Sequence, residues 1–130
     1  MRKLLIAVTV MMLPVFGANA QNAPKFFADT YPAHALPEAM AAYGALGNDN
    51  ASLDAKTREL VGLAVAAQIP CTYCVYAHTN KARAAGATEA EIREAVAVAA
   101  MVRHWSTVPN GMAYDLEAFK TEYDALVAGN

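Results

Sequence analysis

The sequence predicts an all-α protein, a small multi-helix bundle of five or so helices, several of them short. Three observations carry this. Alanine is abundant in a chain that is 56% hydrophobic, and alanine-rich segments favour helix because alanine loses no side-chain entropy there. Apolar residues recur at helical spacing, and β-branched residues rarely alternate with polar ones as half-buried strands require. Proline and glycine stand where helices would begin and end. No strand pair, internal repeat or low-complexity tract is recognisable.

The N-terminus reads as an export signal. Met1-Arg2-Lys3 is positively charged, residues 4–16 are apolar except at Thr9 and Pro14, and Ala18-Asn19-Ala20 supplies a small-x-small cleavage pattern. Cleavage is expected after Ala20, which places the mature protein in the periplasm or outside the cell. The apolar run falls short of the ~20 residues that span a bilayer; an uncleaved anchor is the alternative. No later stretch is long and apolar enough to span. The remaining residues, 21–130, suffice for one domain with one core. The leader holds Arg2 and Lys3 and no acid, so the formal charge falls from −2 to −4 on its removal. A mildly acidic, scattered charge pattern carries no footprint for nucleic acid.

Along the mature chain, residues 21–35 carry Pro24 and Pro32 and read as an extended lead-in to a helical domain over 36–130. Pro37 suits the first turn of a short helix reaching residue 45. Residues 47–50, Gly-Asn-Asp-Asn, form a loop. Ser52 or Asp54 caps a helix running to about residue 68, with Leu53, Leu60, Ala64 and Ala67 on one face and Leu63 beside them. Pro70 interrupts this helix, because proline disfavours helical geometry in the residue before it. The next helix starts near Cys71 and ends at Ala85, with Gly86 as C-terminal cap. Thr88 and Glu91 form a capping box ahead of Ile92, Ala95, Val96 and Ala99. Residues 103–109 fit no single reading. Val108, Met112, Leu116, Phe119, Tyr123 and Leu126 form the stripe of a last helix.

The chemistry concentrates in one segment. The only two cysteines form Cys71-x-x-Cys74. Cysteines this close staple no distant segments, so the pair is reactive or metal-binding rather than structural. Cys71, Cys74 and His78 stand at i, i+3 and i+7, within about 60° of one another around a helix. The start of that helix favours a thiolate, through unpaired N–H groups and the helix dipole, and His78 can exchange a proton with the Cys74 thiol. Upstream, Glu59 is flanked by Leu60, Val61 and Leu63, so its carboxylate is expected to be partly buried and able to orient His78. Tyr73 and Tyr76 are pocket-lining or packing residues. His34, His104 and Trp105 are read as structural.

Glu59, eleven residues, Cys71, two residues, Cys74, three residues and His78 together resemble the signature of the alkylhydroperoxidase D-like group within the carboxymuconolactone decarboxylase superfamily. Lys56-Thr57-Arg58-Glu59-Leu60, Ala77-His78-Thr79, Ala85-Gly86-Ala87-Thr88 and Glu91-Ile92 extend the likeness over roughly residues 36–105. The resemblance implies a thiol-dependent peroxidase or disulfide oxidoreductase of peroxiredoxin type. In it Cys74 attacks the peroxide, Cys71 resolves the sulfenic acid by closing a Cys71–Cys74 disulfide, and His78 and Glu59 relay protons. It implies a hydroperoxide or disulfide substrate, an external thiol reductant, no organic or metal cofactor, and a homo-oligomer, trimer or hexamer. The family's best-known peroxidases carry a second histidine just before the second cysteine; Tyr73 stands there, in a supporting place, and a phenol of pKa near 10 is a poor base at neutral pH. Two other readings remain at this level: a lactone decarboxylase of the same superfamily, which does not depend on a cysteine pair, and a non-catalytic metal-binding module using Cys71, Cys74, His78 and Glu59. Covalent haem is excluded, because Val75 rather than histidine follows Cys74.

Overall fold

A computed structural model of the chain describes residues 23–129, which contain six helices and, among the described residues, no strand. The expected export signal lies outside the described residues. The chain divides into two compact units, one ending at residue 51, the other beginning at residue 52.

The first unit holds α1 (Lys25–Thr30) and α2 (Leu36–Ala45). The lead-in expected to be extended therefore carries a short helix. Its fixed start is Pro24, whose carbonyl accepts from Phe27 and Ala28. A Lys25–Asp29 ion pair and a Thr30 hydroxyl bond to the Phe26 carbonyl brace this largely exposed turn. These local bonds supply what the periodicity of so short a segment cannot signal. Pro37 sits in the first turn of α2, as its fixed φ predicts.

The second unit is built on α3 (Ala55–Gln68), which packs against both α4 (Thr72–Ala84) and α5 (Glu89–Gly111). Asp54 is the cap of α3, accepting the Thr57 N–H at 2.8 Å. The buried face of α3 is Glu59, Leu63 and Ala66, whereas Leu53 is half exposed and Leu60, Ala64 and Ala67 are only partly covered. The expected apolar face is thus rotated toward the one that carries the carboxylate, because α3 packs its Glu59 side against α4. Leu63, Ala82 and Ile92 form the centre of a small core, with Leu60, Val75 and Ala87 around it.

The α3–α4 junction decides where the cysteines stand. α3 ends before Pro70 with Ile69 as its C-cap, and the Cys71 N–H returns to the Ala66 carbonyl at 3.0 Å. Arg103 reaches from α5 to the Gln68 side chain at 2.7 Å and its carbonyl at 3.3 Å, while the Gln68 amide donates to the Ala99 carbonyl. The end of α3 is thereby tied to α5. α4 stops at Ala84 with Ala85 as its C-cap, and Gly86 follows with a φ of +86° that is open to glycine. The Ala87 N–H bonds the Ala82 carbonyl at 2.9 Å and the Gly86 N–H bonds the Arg83 carbonyl at 3.0 Å, the paired C-terminal arrangement that satisfies orphan carbonyls.

The ambiguous residues 103–109 continue α5, with Pro109 inside its last turn. Proline removes a donor there, and nearby side chains bond carbonyls of the same turns: Thr107 to Arg103 at 2.8 Å and Asn110 to Ser106 at 2.6 Å. Val108 and Met112 accordingly belong to the end of α5 rather than to the last helix. α6 (Leu116–Ala128) starts only after a turn at Ala113, capped by Asp115.

The capping box of α5 forms as expected and also reaches α3. Glu91 accepts from the Thr88 N–H at 2.7 Å and from Lys56 Nζ at 2.7 Å. The Lys56 ammonium, then the Thr88 N–H and hydroxyl, hold its carboxyl down from the ordinary 4.5 to about 2. A carboxyl depressed in the folded state stabilises the fold fully above 4.5 and loses that contribution as pH falls from 4.5 to about 2. The denaturant midpoint is therefore expected to drop across this acid window, and Glu91→Gln to flatten the drop. The same acid slope in both proteins would remove Glu91 as its source.

Candidate active site

Glu59 is the one buried charged side chain among the described residues, 9% exposed. His78 meets it from α4: Nδ1 lies 2.7 Å from Glu59 Oε2. A carboxylate only accepts, so Nδ1 carries the proton and donates. The remaining ring nitrogen, Nε2, keeps its lone pair and is the basic atom of the neutral ring; it makes no hydrogen bond among the described residues. The Arg58 guanidinium lies 4.0 Å from the other Glu59 oxygen and also donates to the Leu53 carbonyl at 3.3 Å. A carboxylate taken from water needs such partners, since leaving it unpaired costs several kcal/mol.

The ring reaches Glu59 because α3 has no side chain at Gly62. A Cβ built there would lie 2.6 Å from both Cε1 and Nδ1 of His78 and 3.0 Å from Cγ. Glycine here serves close approach: the imidazole lies against the α3 backbone one turn beyond Glu59.

At the other end of the site, Cys71 is the N-cap of α4, with φ −88° and ψ 97°. Its Sγ accepts the Cys74 N–H at 3.2 Å. The two cysteines are joined in a disulfide, with Cα atoms 5.2 Å apart. Both are partly exposed, so the pair lies within reach of a solvent-borne reactant. Cys74 precedes His78 by one helical turn, a spacing that sets their Cβ atoms about 5–6 Å apart on one face. The four expected residues are therefore placed by two neighbouring helices: Glu59 on α3, and Cys71, Cys74 and His78 along the first turns of α4.

Tyr73 stands apart. Five residues from His78 is about 140° around the helix, and the side chain is 88% exposed, on the outside of α4. It does not join the Glu59–His78 pair. Tyr76 is likewise exposed. His104 packs edge-on against Trp105, with ring centroids 5.0 Å apart, and His34 lies in the first unit. Gly62 is the site residue that motif reading passed over. Its signal was a glycine inside a helix of alanine, leucine and valine, where it costs about 1 kcal/mol against alanine and calls for a packing reason.

A small all-α fold with a disulfide-linked cysteine pair at a helix start, on the same helix as a histidine held by a buried carboxylate, defines the class. The chain belongs to the carboxymuconolactone decarboxylase family, whose model matches residues 34–116; that stretch holds Glu59, Gly62, Cys71, Cys74 and His78. The family includes alkylhydroperoxidase D-like peroxidases. Among curated relatives, "uncharacterized protein 4 in cox locus" of Paracoccus denitrificans is 42% identical over 52 residues, covering 40% of this chain and 47% of that protein. An "uncharacterized protein" of Haemophilus influenzae is 50% identical over 49 residues, covering 35% of this chain and 43% of that protein. The chain thus spans under half the length of these relatives. No solved structure matches it.

Gly62→Ala tests the slot. Alanine gains about 1 kcal/mol of helix propensity, but the ring must leave, at about 1–3 kcal/mol for overpacking, and the charge-assisted bond to Glu59 is lost as well. Net destabilisation of about 1–3 kcal/mol is expected in chemical denaturation, together with displaced His78 ring resonances in NMR. A stabilised variant with unmoved resonances would show that the slot has no such role.

Proposed function

We propose that this protein is an exported thiol-dependent peroxidase or disulfide oxidoreductase, working through Cys71 and Cys74 with His78 and Glu59. One observation carries the reading: the cysteine pair begins the same helix that, one turn later, presents a histidine whose Nδ1–H is engaged by a buried carboxylate. That bond leaves Nε2 as the proton-accepting atom of a residue one helical turn from Cys74. Membership of a family that includes alkylhydroperoxidase D-like peroxidases supports the same reading.

The cycle starts from the dithiol. His78 takes the Cys74 proton, and the thiolate attacks the terminal oxygen of a hydroperoxide. An S–O bond forms as the O–O bond breaks; two electrons pass from sulfur to oxygen, and the departing alkoxide takes the proton from His78 to leave as alcohol. Cys71 then attacks the Cys74 sulfur, its own proton joins the displaced hydroxide, and water leaves as the disulfide closes. Dithiol and hydroperoxide become disulfide, alcohol and water. An external dithiol returns two electrons and two protons. Glu59 stabilises the imidazolium and holds the ring in one orientation throughout.

Stopped-flow mixing of reduced protein with hydrogen peroxide and with an organic hydroperoxide tests this. Wild type is expected to consume one equivalent, Cys74→Ser to lose the reaction, and Cys71→Ser to accumulate a trappable sulfenic acid. Equal rates in all three would refute the roles. Turnover of a muconolactone surviving both changes would favour the lactone decarboxylase reading.

A further inference from the structure

Glu59 offers two oxygens, and His78 takes one: Oε2 accepts the Nδ1–H at 2.7 Å. The terminal torsion of a glutamate is soft, so a single bond to a single oxygen leaves a carboxylate loosely aimed. The second oxygen, Oε1, faces Arg58, whose Nε lies 4.0 Å away. Adjacent residues on a helix diverge by about 100°, so Arg58 meets its neighbour's carboxylate only by folding back along α3. An anchor holds it there: Nη1 donates to the Leu53 carbonyl at 3.3 Å, just before the cap Asp54. Only 28% of the Arg58 side chain is exposed, so most of it lies against the protein.

The acids that could draw Arg58 elsewhere are taken. Asp54 stands four residues earlier, the spacing of an ordinary helical ion pair. Its oxygens accept instead the Thr57 N–H at 2.8 Å and the Thr57 hydroxyl at 3.1 Å. Glu91, which α5 brings to the start of α3, is held by Lys56 at 2.7 Å. The charges at this end of α3 are thus sorted, and Arg58 is left to Glu59. A guanidinium suits the place: it is planar and permanently charged, and it can bond a carbonyl through one nitrogen while another faces a carboxylate. An ammonium is a point charge and cannot span both.

We infer that Arg58 is a positioning residue of this site, holding Oε1 of Glu59 so that Oε2 stays aimed at His78 Nδ1. Arg58 acts through Glu59 and not on the cysteine pair. Its effect on peroxide reduction rests on the redox reading proposed above; its hold on the carboxylate does not.

Arg58→Gln removes the charge, keeps an amide donor and is nearly as good a helix former. NMR of the full protein labelled with nitrogen-15 histidine reads the His78 Nδ1 proton. In wild type that proton is expected to exchange slowly with water, and in Arg58→Gln at least tenfold faster. Peroxide reduction by the reduced variant is expected to slow about tenfold, the low end of what losing a partner that orients a functional side chain costs at metal sites. Arg58→Lys, which keeps the charge, is expected to return to within threefold of wild type on both readouts. An arginine that only braces the helix would lower the denaturant midpoint and leave the Nδ1 proton's exchange unchanged, and that result would overturn the inference. Arg58→Met, read in the same way, decides the matter should the Gln variant not fold. A wild type that consumes no peroxide would sink the redox reading, and the exchange of the Nδ1 proton would still decide the role of Arg58.

Discussion

The hydrogen bond between Glu59 and His78 is the constraint around which the second unit is arranged. It places a charged group on the face of α3 that also contributes Leu63 and Ala66 to the interior, and it is tolerable there only because α4 delivers a donor at 2.7 Å. A carboxylate buried without that donor would cost more than the small core of Leu63, Ala82 and Ile92 can readily offset. The pairing therefore fixes how α3 and α4 lie against each other. The absent side chain at Gly62 is a consequence: two helices this close, with an imidazole between them, leave no space for a methyl group.

The same contact sets the functional geometry. Once His78 is held, everything one turn earlier on α4 is held with it, including Cys74. The break at Pro70, the Cys71 N–H bond to the Ala66 carbonyl and the Arg103 clamp on Gln68 then fix where α4 starts, and so where Cys71 caps it. Structure and proposed chemistry share these bonds. A change that loosens the α3–α4 packing is thus expected to alter reactivity as well as stability.

Much of this was legible in the sequence because the relevant signals are local. The Cys-x-x-Cys and the histidine four residues on share a helix, so their common face follows from helical geometry alone, and Pro70, Gly86 and the Thr88–Glu91 box are short-range punctuation. What escaped is what depends on partners distant in the chain. Hydrophobic periodicity put Leu53, Leu60, Ala64 and Ala67 on the packed face of α3, with Leu63 beside them; the apolar flanks of Glu59 did signal its burial, but not that Glu59, Leu63 and Ala66 together would form the buried face. Gly62 went unread because the ring that needs its missing side chain comes from another helix. Tyr73, beside the motif in sequence, lies on the outside of α4 because adjacent helical residues diverge by about 100°. The apolar stripe that ran from Val108 to Leu126 proved to belong to two helices, broken at Ala113, whose backbone φ of +49° carries no compositional mark on an alanine.

In the proposed chemistry the buried carboxylate serves the cysteine pair through the imidazole, and the most direct test changes the carboxylate alone. Glu59→Gln keeps the shape and a hydrogen-bonding oxygen but removes the charge that stabilises a protonated His78. The second-order rate of peroxide reduction by the reduced variant, measured alongside circular dichroism to show that the helices persist, is predicted to fall about 100-fold, the lower end of what positioned proton transfer contributes. A folded variant that reduces peroxide as fast as wild type would contradict the account at its centre.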